Sequence, residues 1–94
     1  MTSFSGTFHT PNARKYLVQL CKHFAHKIDV SYTEEEGSCD FEIGTAKMTA
    51  DDELLTIHVT ANDTDMVPQL KFVIDRHLEK FAFREDFTAM DWTV

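Results

Sequence analysis

The chain is sparing with the residues that punctuate or cross-link a fold: three glycines, two prolines, two cysteines and one tryptophan in 94 residues. Cys21 and Cys39 stand in neither a CxxC nor a zinc-ribbon spacing, which removes a disulfide scaffold and a structural zinc module from consideration. No glycine-rich phosphate loop, GxSxG, HExxH or EF-hand spacing occurs, so the familiar nucleotide, hydrolase, metalloprotease and calcium sites are also removed. No apolar run approaches the roughly 18–20 residues that span a bilayer, so no membrane segment is expected. Basic residues are short as well. Nine Lys and Arg face sixteen Asp and Glu, for a net charge of −7. Such a surface repels phosphate backbones and argues against nucleic-acid binding. The opening MTSFSGTFHT lacks the basic and apolar segments of an export signal. A cytoplasmic protein with two free thiols is therefore expected.

What is present suits one globular α+β domain over residues 1–94. Hydrophobic residues make up 43% and aromatics 12%, enough for one two-layer core in a chain that buries roughly 60–65% of its unfolded surface. Phe4, Gly6 and Phe8 alternate with Ser3, Ser5, Thr7 and His9, a half-buried strand. Thr10-Pro11 reads as an N-cap followed by proline at the first helical position. The helix is predicted to run to about Lys27, with Ala13, Leu17, Leu20, Phe24 and Ile28 as its apolar stripe. Strand periodicity returns at 28–33, at 39–42 around Cys39 and Phe41, at 45–50 and at 55–61. Gly37 in the charged Glu34–Gly37 turn is read as a positive-φ position, and Gly44 as a hairpin turn or bulge. Asn62–Asp65 supplies caps for a second helix, with Pro68 in its first turn and Val67, Leu70, Val73, Ile74, Leu78 and Phe81 inward. It is predicted to reach about Phe83. Phe87, Met90, Trp92 and Val94 are spaced as a tail that folds back over an apolar edge.

The order β-α-β-β-β-β-α predicts a two-layer sandwich, a mostly antiparallel sheet with both helices on one face. A TBP-like arrangement fits first and a ferredoxin-like one is the alternative. The other face of the sheet would be open and polar.

The segment Lys15–Lys27, KYLVQLCKHFAHK, holds a cysteine and two histidines and invites a metal reading. At about 100° per residue, Cys21 and His23 diverge by about 160° and cannot grip one ion. Cys21 then reads as a small apolar residue at the edge of the stripe. His23 and His26 lie about 60° apart and share a face. His77 falls inside the apolar stripe of the second helix and must find a hydrogen-bond partner, with Tyr16, His23 or a backbone carbonyl as candidates. His23, His26 and His77 are thus the candidate metal or cofactor ligands, although no particular cofactor is indicated. His9, His58, Asp29, Asp40 and Glu42 share the polar sheet face by parity. Phe72 and Phe83 point away from the core stripe of their helix.

Thr10-Pro11, Tyr16-Leu17 with Leu20-Cys21-Lys22-His23-Phe24 and His26-Lys27, the Asp40-Phe41 strand, and Phe81-Ala82-Phe83-Arg84-Glu85 ahead of Trp92 together resemble the bacterial domain-of-unknown-function family 2218. The resemblance covers nearly the whole chain. It implies a small cytosolic α+β domain with no assigned activity, and it transfers no catalytic residue. It also implies an accessory role in iron or siderophore handling, with a siderophore-interacting flavin reductase as partner. The resulting expectation is a binding module rather than an enzyme, docking a protein through Lys22, His26, Lys27, Phe83, Arg84 and Glu85. The alternatives are a metal- or cofactor-dependent site on His23, His26 and His77, or a homodimer formed across the open sheet face.

Overall fold

The computed structural model describes residues 2–82, 85 and 90–93. The elements are β1 (Thr2–His9), α1 (Ala13–Phe24), β2 (Asp29–Tyr32), β3 (Glu36–Phe41), β4 (Gly44–Ala50), β5 (Leu54–Ala61), a 3₁₀ turn (Thr64–Met66), α2 (Val67–Phe81) and β6 (Asp91–Thr93). They form a six-stranded sheet in the order β2-β3-β4-β5-β1-β6. Every pairing is antiparallel. A ferredoxin-like sheet places its first and third strands side by side and parallel; here β1 instead closes on β5. No helix among the described residues is long and apolar enough to cross a membrane.

The alternation seen in the sequence becomes the inner face of the sheet. Phe4, Cys39, Ala46, Met48, Leu55, Ile57 and Val59 are buried there against Leu17 and Leu20 of α1 and Leu70, Ile74 and Leu78 of α2. Each large side chain fully buried in this layer contributes about 1.5–3 kcal/mol of hydrophobic stabilisation. α1 buries Ala13, Tyr16, Leu17, Leu20, Cys21 and Phe24, a stripe at spacings of three and one. α2 opens as its sequence predicts: Asp63 accepts from the N–H of Asp65, and Pro68 occupies the first turn.

Several expectations are corrected. α1 ends at Phe24 rather than near Lys27. Its carbonyls are taken up by a tightened last turn, in which the N–H groups of His26 and Lys27 bond to His23 and Phe24 three residues back. Such i→i+3 bonds close a helix end. Thr10 is not the N-cap of α1; Asn12 holds that position without a side-chain bond. The Thr10 hydroxyl instead accepts the N–H of Asn12 at 3.1 Å while the residue lies 2% exposed. Gly37 sits inside β3, not in the turn. What it supplies is space, since a Cβ there would stand 2.7 Å from Sγ of Cys21. Cys21 itself is core, at 0% exposure, rather than an edge residue.

The tail forms a sixth strand. Gly6 pairs with Trp92 across β1 and β6. A Cβ on Gly6 would lie 2.6 Å from Cε3 of Trp92, so the missing side chain lets the indole lie flat over the strand and meet Phe4 edge-on at 5.3 Å. Met90 is buried as expected. Phe87 and Val94 lie outside the described residues.

Candidate functional site

α1 and α2 bring basic and aromatic side chains together where their C-terminal turns meet. The rings of His23 and His77 lie 4.4 Å apart between centroids, tilted by 47°. Phe24 stands edge-on to both, at 5.7 and 5.1 Å, and Phe81 lies 6.3 Å from His23. Phe41 of β3 backs Phe24 at 5.0 Å. Of the three hydrogen-bond partners that the sequence allowed His77, the structure supplies the backbone carbonyl, and it brings His23 into ring contact only. His77 Nδ1 lies 2.6 Å from the carbonyl of Val73, one turn earlier. Tyr16, the third, is engaged elsewhere.

Lys22, Lys27 and Lys80 gather around this end, and Lys27 shares a surface depression with Asp29, Asp40 and Glu42. Partial burial lowers the His23 pKa below its usual 6.5, and His77, Lys27, His26 and Lys80 push it further down. Lys22 and His23 occupy the last turn of α1 and Lys80 that of α2. Cations there are favoured by the negative ends of the helix dipoles. His26 lies in the turn beyond α1 and is exposed. Among the described residues no three His, Cys, Asp or Glu side chains are grouped so as to hold a metal ion; the structure joins His23 to His77 and leaves His26 as a flanking group.

The other motif residues build a different object. Glu85 reaches back to the start of α1. Its Oε1 accepts from the Thr10 hydroxyl at 2.6 Å, and its Oε2 from Asn12 Nδ2 at 3.3 Å and from the Tyr16 hydroxyl. Burial works to raise the Glu85 carboxyl, but the bonds from Thr10, Tyr16 and Asn12, aided by Lys15, outweigh it and hold the group below its usual value. Burial and the bond to Glu85 push Tyr16 up to about 12. Tyr16 also stacks on Phe8 at 5.9 Å. Both carboxylate oxygens of Glu85 are therefore used inside the fold, about ten residues of α1 away from the histidine end. Phe83 and Arg84, the other proposed docking residues of that segment, lie outside the described residues.

Two further arrangements escaped the sequence reading. Asp75 accepts from the Met90 N–H and from Trp92 Nε1, each at 2.9 Å, and so straps the tail to α2. Cys21 and Cys39 are both free and buried, and their thiols act on each other. That interaction lowers the Cys21 pKa and, with burial, raises that of Cys39. Strand parity and helix angle do point each cysteine inward, but the placement of α1 over β3 is needed to bring them together.

The open sheet face gathers only some of its titratable groups: Asp29, Asp40 and Glu42 line one surface depression together with Lys27, while His9 and His58 lie elsewhere. Asp29 stands directly opposite Asp40. His58 lies between Lys47 and Ser5 on the neighbouring strands, with Nδ1 2.8 Å from the Ser5 hydroxyl. His9 pairs with Leu54 at the far end of β1, and Glu42 sits in the turn between β3 and β4. A surface depression of about 690 Å³ is lined by Thr33, Glu34, Glu35, Glu36, Thr49 and Ala50 and contains none of the histidines. Phe72, 60% exposed on the outer side of α2, has the Arg76 guanidinium 5.8 Å from its ring.

A bacterial family described as "Uncharacterized protein conserved in bacteria" (DUF2218) matches residues 5–93. Among solved structures the chain is similar to PA4090 from Pseudomonas aeruginosa, determined by NMR. The likeness has a TM-score of 0.81 at 27% sequence identity and covers 99% of this chain and 96% of that one. No curated protein matches.

Proposed function

The chain belongs to the DUF2218 family of uncharacterised bacterial proteins, and from that premise we propose that it is a non-catalytic docking module. It binds an acidic protein surface through the end where α1 and α2 meet. One observation carries this reading. In a chain of net charge −7, Lys22 and Lys80 stand in the last turns of α1 and α2 with Lys27 just beyond α1, beside an aromatic wall of Phe24, Phe41 and Phe81. A positive patch flanked by aromatic rings steers an acidic partner and gives it an apolar footing. The partner is a siderophore-interacting flavin reductase, as the family resemblance implies, which makes the module an accessory of iron or siderophore handling. Glu85 is no part of the docking surface, because its oxygens serve the fold.

The test is direct titration of the full chain with the purified reductase from the same cell. Amide shifts should concentrate on Lys22–Lys27 and His77–Phe81, and binding should weaken with rising salt. Charge reversal at Lys22 and Lys27 should lower affinity by about tenfold or more, a loss of 1.4 kcal/mol or greater. Shifts confined to the open sheet face around Ser5 and His58 would move the interface there. Absence of binding at any salt concentration would end the iron-linked reading.

A further inference from the structure

The His23–His77 pair carries a second inference that does not depend on the docking surface. A carbonyl oxygen only accepts, so the 2.6 Å contact between His77 Nδ1 and the Val73 carbonyl places the ring proton on Nδ1. Neutral His77 therefore presents an unprotonated Nε2. A backbone carbonyl that fixes one ring nitrogen and aims the other is the outer-shell arrangement found around metal-binding histidines. His23 lies against this ring, 4.4 Å between centroids. It is exposed, and among the described residues no hydrogen bond holds its imidazole. Neither of its ring nitrogens is therefore committed to a hydrogen bond among the described residues.

We propose that His23 and His77 form a two-imidazole binding site for a divalent first-row transition ion, with water or a donor atom of a docked molecule completing the coordination. The ligand class follows from the donors: neutral imidazoles suit Zn(II), Cu(II), Ni(II) or Fe(II), whereas Ca(II) and Mg(II) need oxygen. Cys21 takes no part, since it is buried against Gly37 and Cys39. His26 supplies no third ligand in this geometry. Lys27 and Lys80 oppose a dication, while the negative ends of the two helix dipoles work in its favour. Two protein ligands with an open remainder make an exchangeable site rather than a closed structural one.

The experiment is a Zn(II) titration of the full isotope-labelled chain, followed by its histidine ring resonances. A saturable one-to-one response is expected in which His23 and His77 move together while His9 and His58 stay still. His23→Gln and His77→Gln should each weaken binding by about tenfold or more, the scale seen even for outer-shell partners of a bound metal. His58→Gln should leave it unchanged. Long-range ring ¹⁵N spectra of the metal-free parent should show His77 protonated on Nδ1; this measurement needs no variant to fold. Zn(II) binding that survives in both glutamine variants, a response spread evenly over all five histidines, or an Nε2–H tautomer at His77 would each overturn the proposal.

Discussion

The two ends of α1 carry polar clusters of opposite character. At its start, Thr10, Asn12 and Tyr16 converge on Glu85, and every oxygen of the carboxylate has a donor. At its finish, His23 and His77 meet with one ring nitrogen committed to a backbone carbonyl and the His23 ring held by contact alone. Both clusters draw on residues of the family motif. A cluster whose donors and acceptors are all matched internally contributes rigidity, because breaking it leaves buried polar groups without partners. A cluster with open valence on the surface adds little to the fold and can engage something else.

That comparison predicts its largest effect at Glu85. Glu85→Ala removes the acceptor of the Tyr16 and Thr10 hydroxyl protons, in residues that are 4% and 2% exposed, while Thr10 Oγ1 keeps the Asn12 N–H. Each buried donor left unpaired costs on the order of 1–3 kcal/mol, so a loss of about 2–4 kcal/mol is expected in urea unfolding. The clasp also sets a pH dependence. The Glu85 pKa is lower in the fold than its ordinary 4.5. Its stabilisation is therefore complete above 4.5 and is lost as pH falls through the lower folded value. Glu85→Gln should start less stable at neutral pH and show a shallower decline on acidification below 4.5. An unchanged acid limb in Glu85→Gln would mean that the carboxylate is not held as described.

A smaller effect is expected at Asp75, whose carboxylate holds two donors rather than three. Asp75→Asn keeps one acceptor oxygen and replaces the other with an amide donor facing a donor. A loss of about 1–2 kcal/mol is expected, the scale of one hydrogen bond to a charged group. Hydrogen exchange should localise it: the Trp92 indole N–H and the β6 amides should lose protection while β4 and β5 keep theirs. Uniform loss over the whole sheet would show that the tail is a cooperative part of the core rather than a strap.

The contrast between the ends was only partly legible in the sequence. Helix periodicity gave the inward face of α1, and strand parity gave the inner face of the sheet, because both follow from local geometry. The same angular reasoning separated Cys21 from His23, which the structure holds on different sides of α1. It placed His77 inward and named His23 among its partners. What escaped it depends on distances between elements far apart in sequence. Glu85 and Thr10 are 75 residues apart, and nothing local marks a carboxylate that will return to the start of a helix. β6 is three residues long, too short for an alternation pattern, and its pairing rests on Gly6 leaving room for Trp92. Glycine beside three glutamates satisfies turn chemistry, yet Gly37 lies inside β3 and packing of Cys21 against that strand accounts for it. His26 was assigned to the face of His23 by extending the helix to Lys27, whereas the last turn tightens at Phe24.

The smallest stability effect is predicted at the histidine end. His23→Gln removes an exposed ring with no hydrogen bond among the described residues, and replaces it with a residue of better helix propensity. The ring contacts with Phe24, His77 and Phe81 are lost, so a cost of up to about 1 kcal/mol is expected, the scale of a typical single substitution. His77→Gln should cost somewhat more, since it gives up the bond to Val73 and part of the contact with Phe24. Yet both changes should act more strongly on binding than on folding, the reverse of Glu85→Ala. Urea unfolding and Zn(II) titration of the same three variants set the two quantities side by side. If His23→Gln destabilises the chain as much as Glu85→Ala does, the two ends are one structural framework. If it costs folding far less and weakens binding, open valence at the end of α1 and closed valence at its start are distinct in kind.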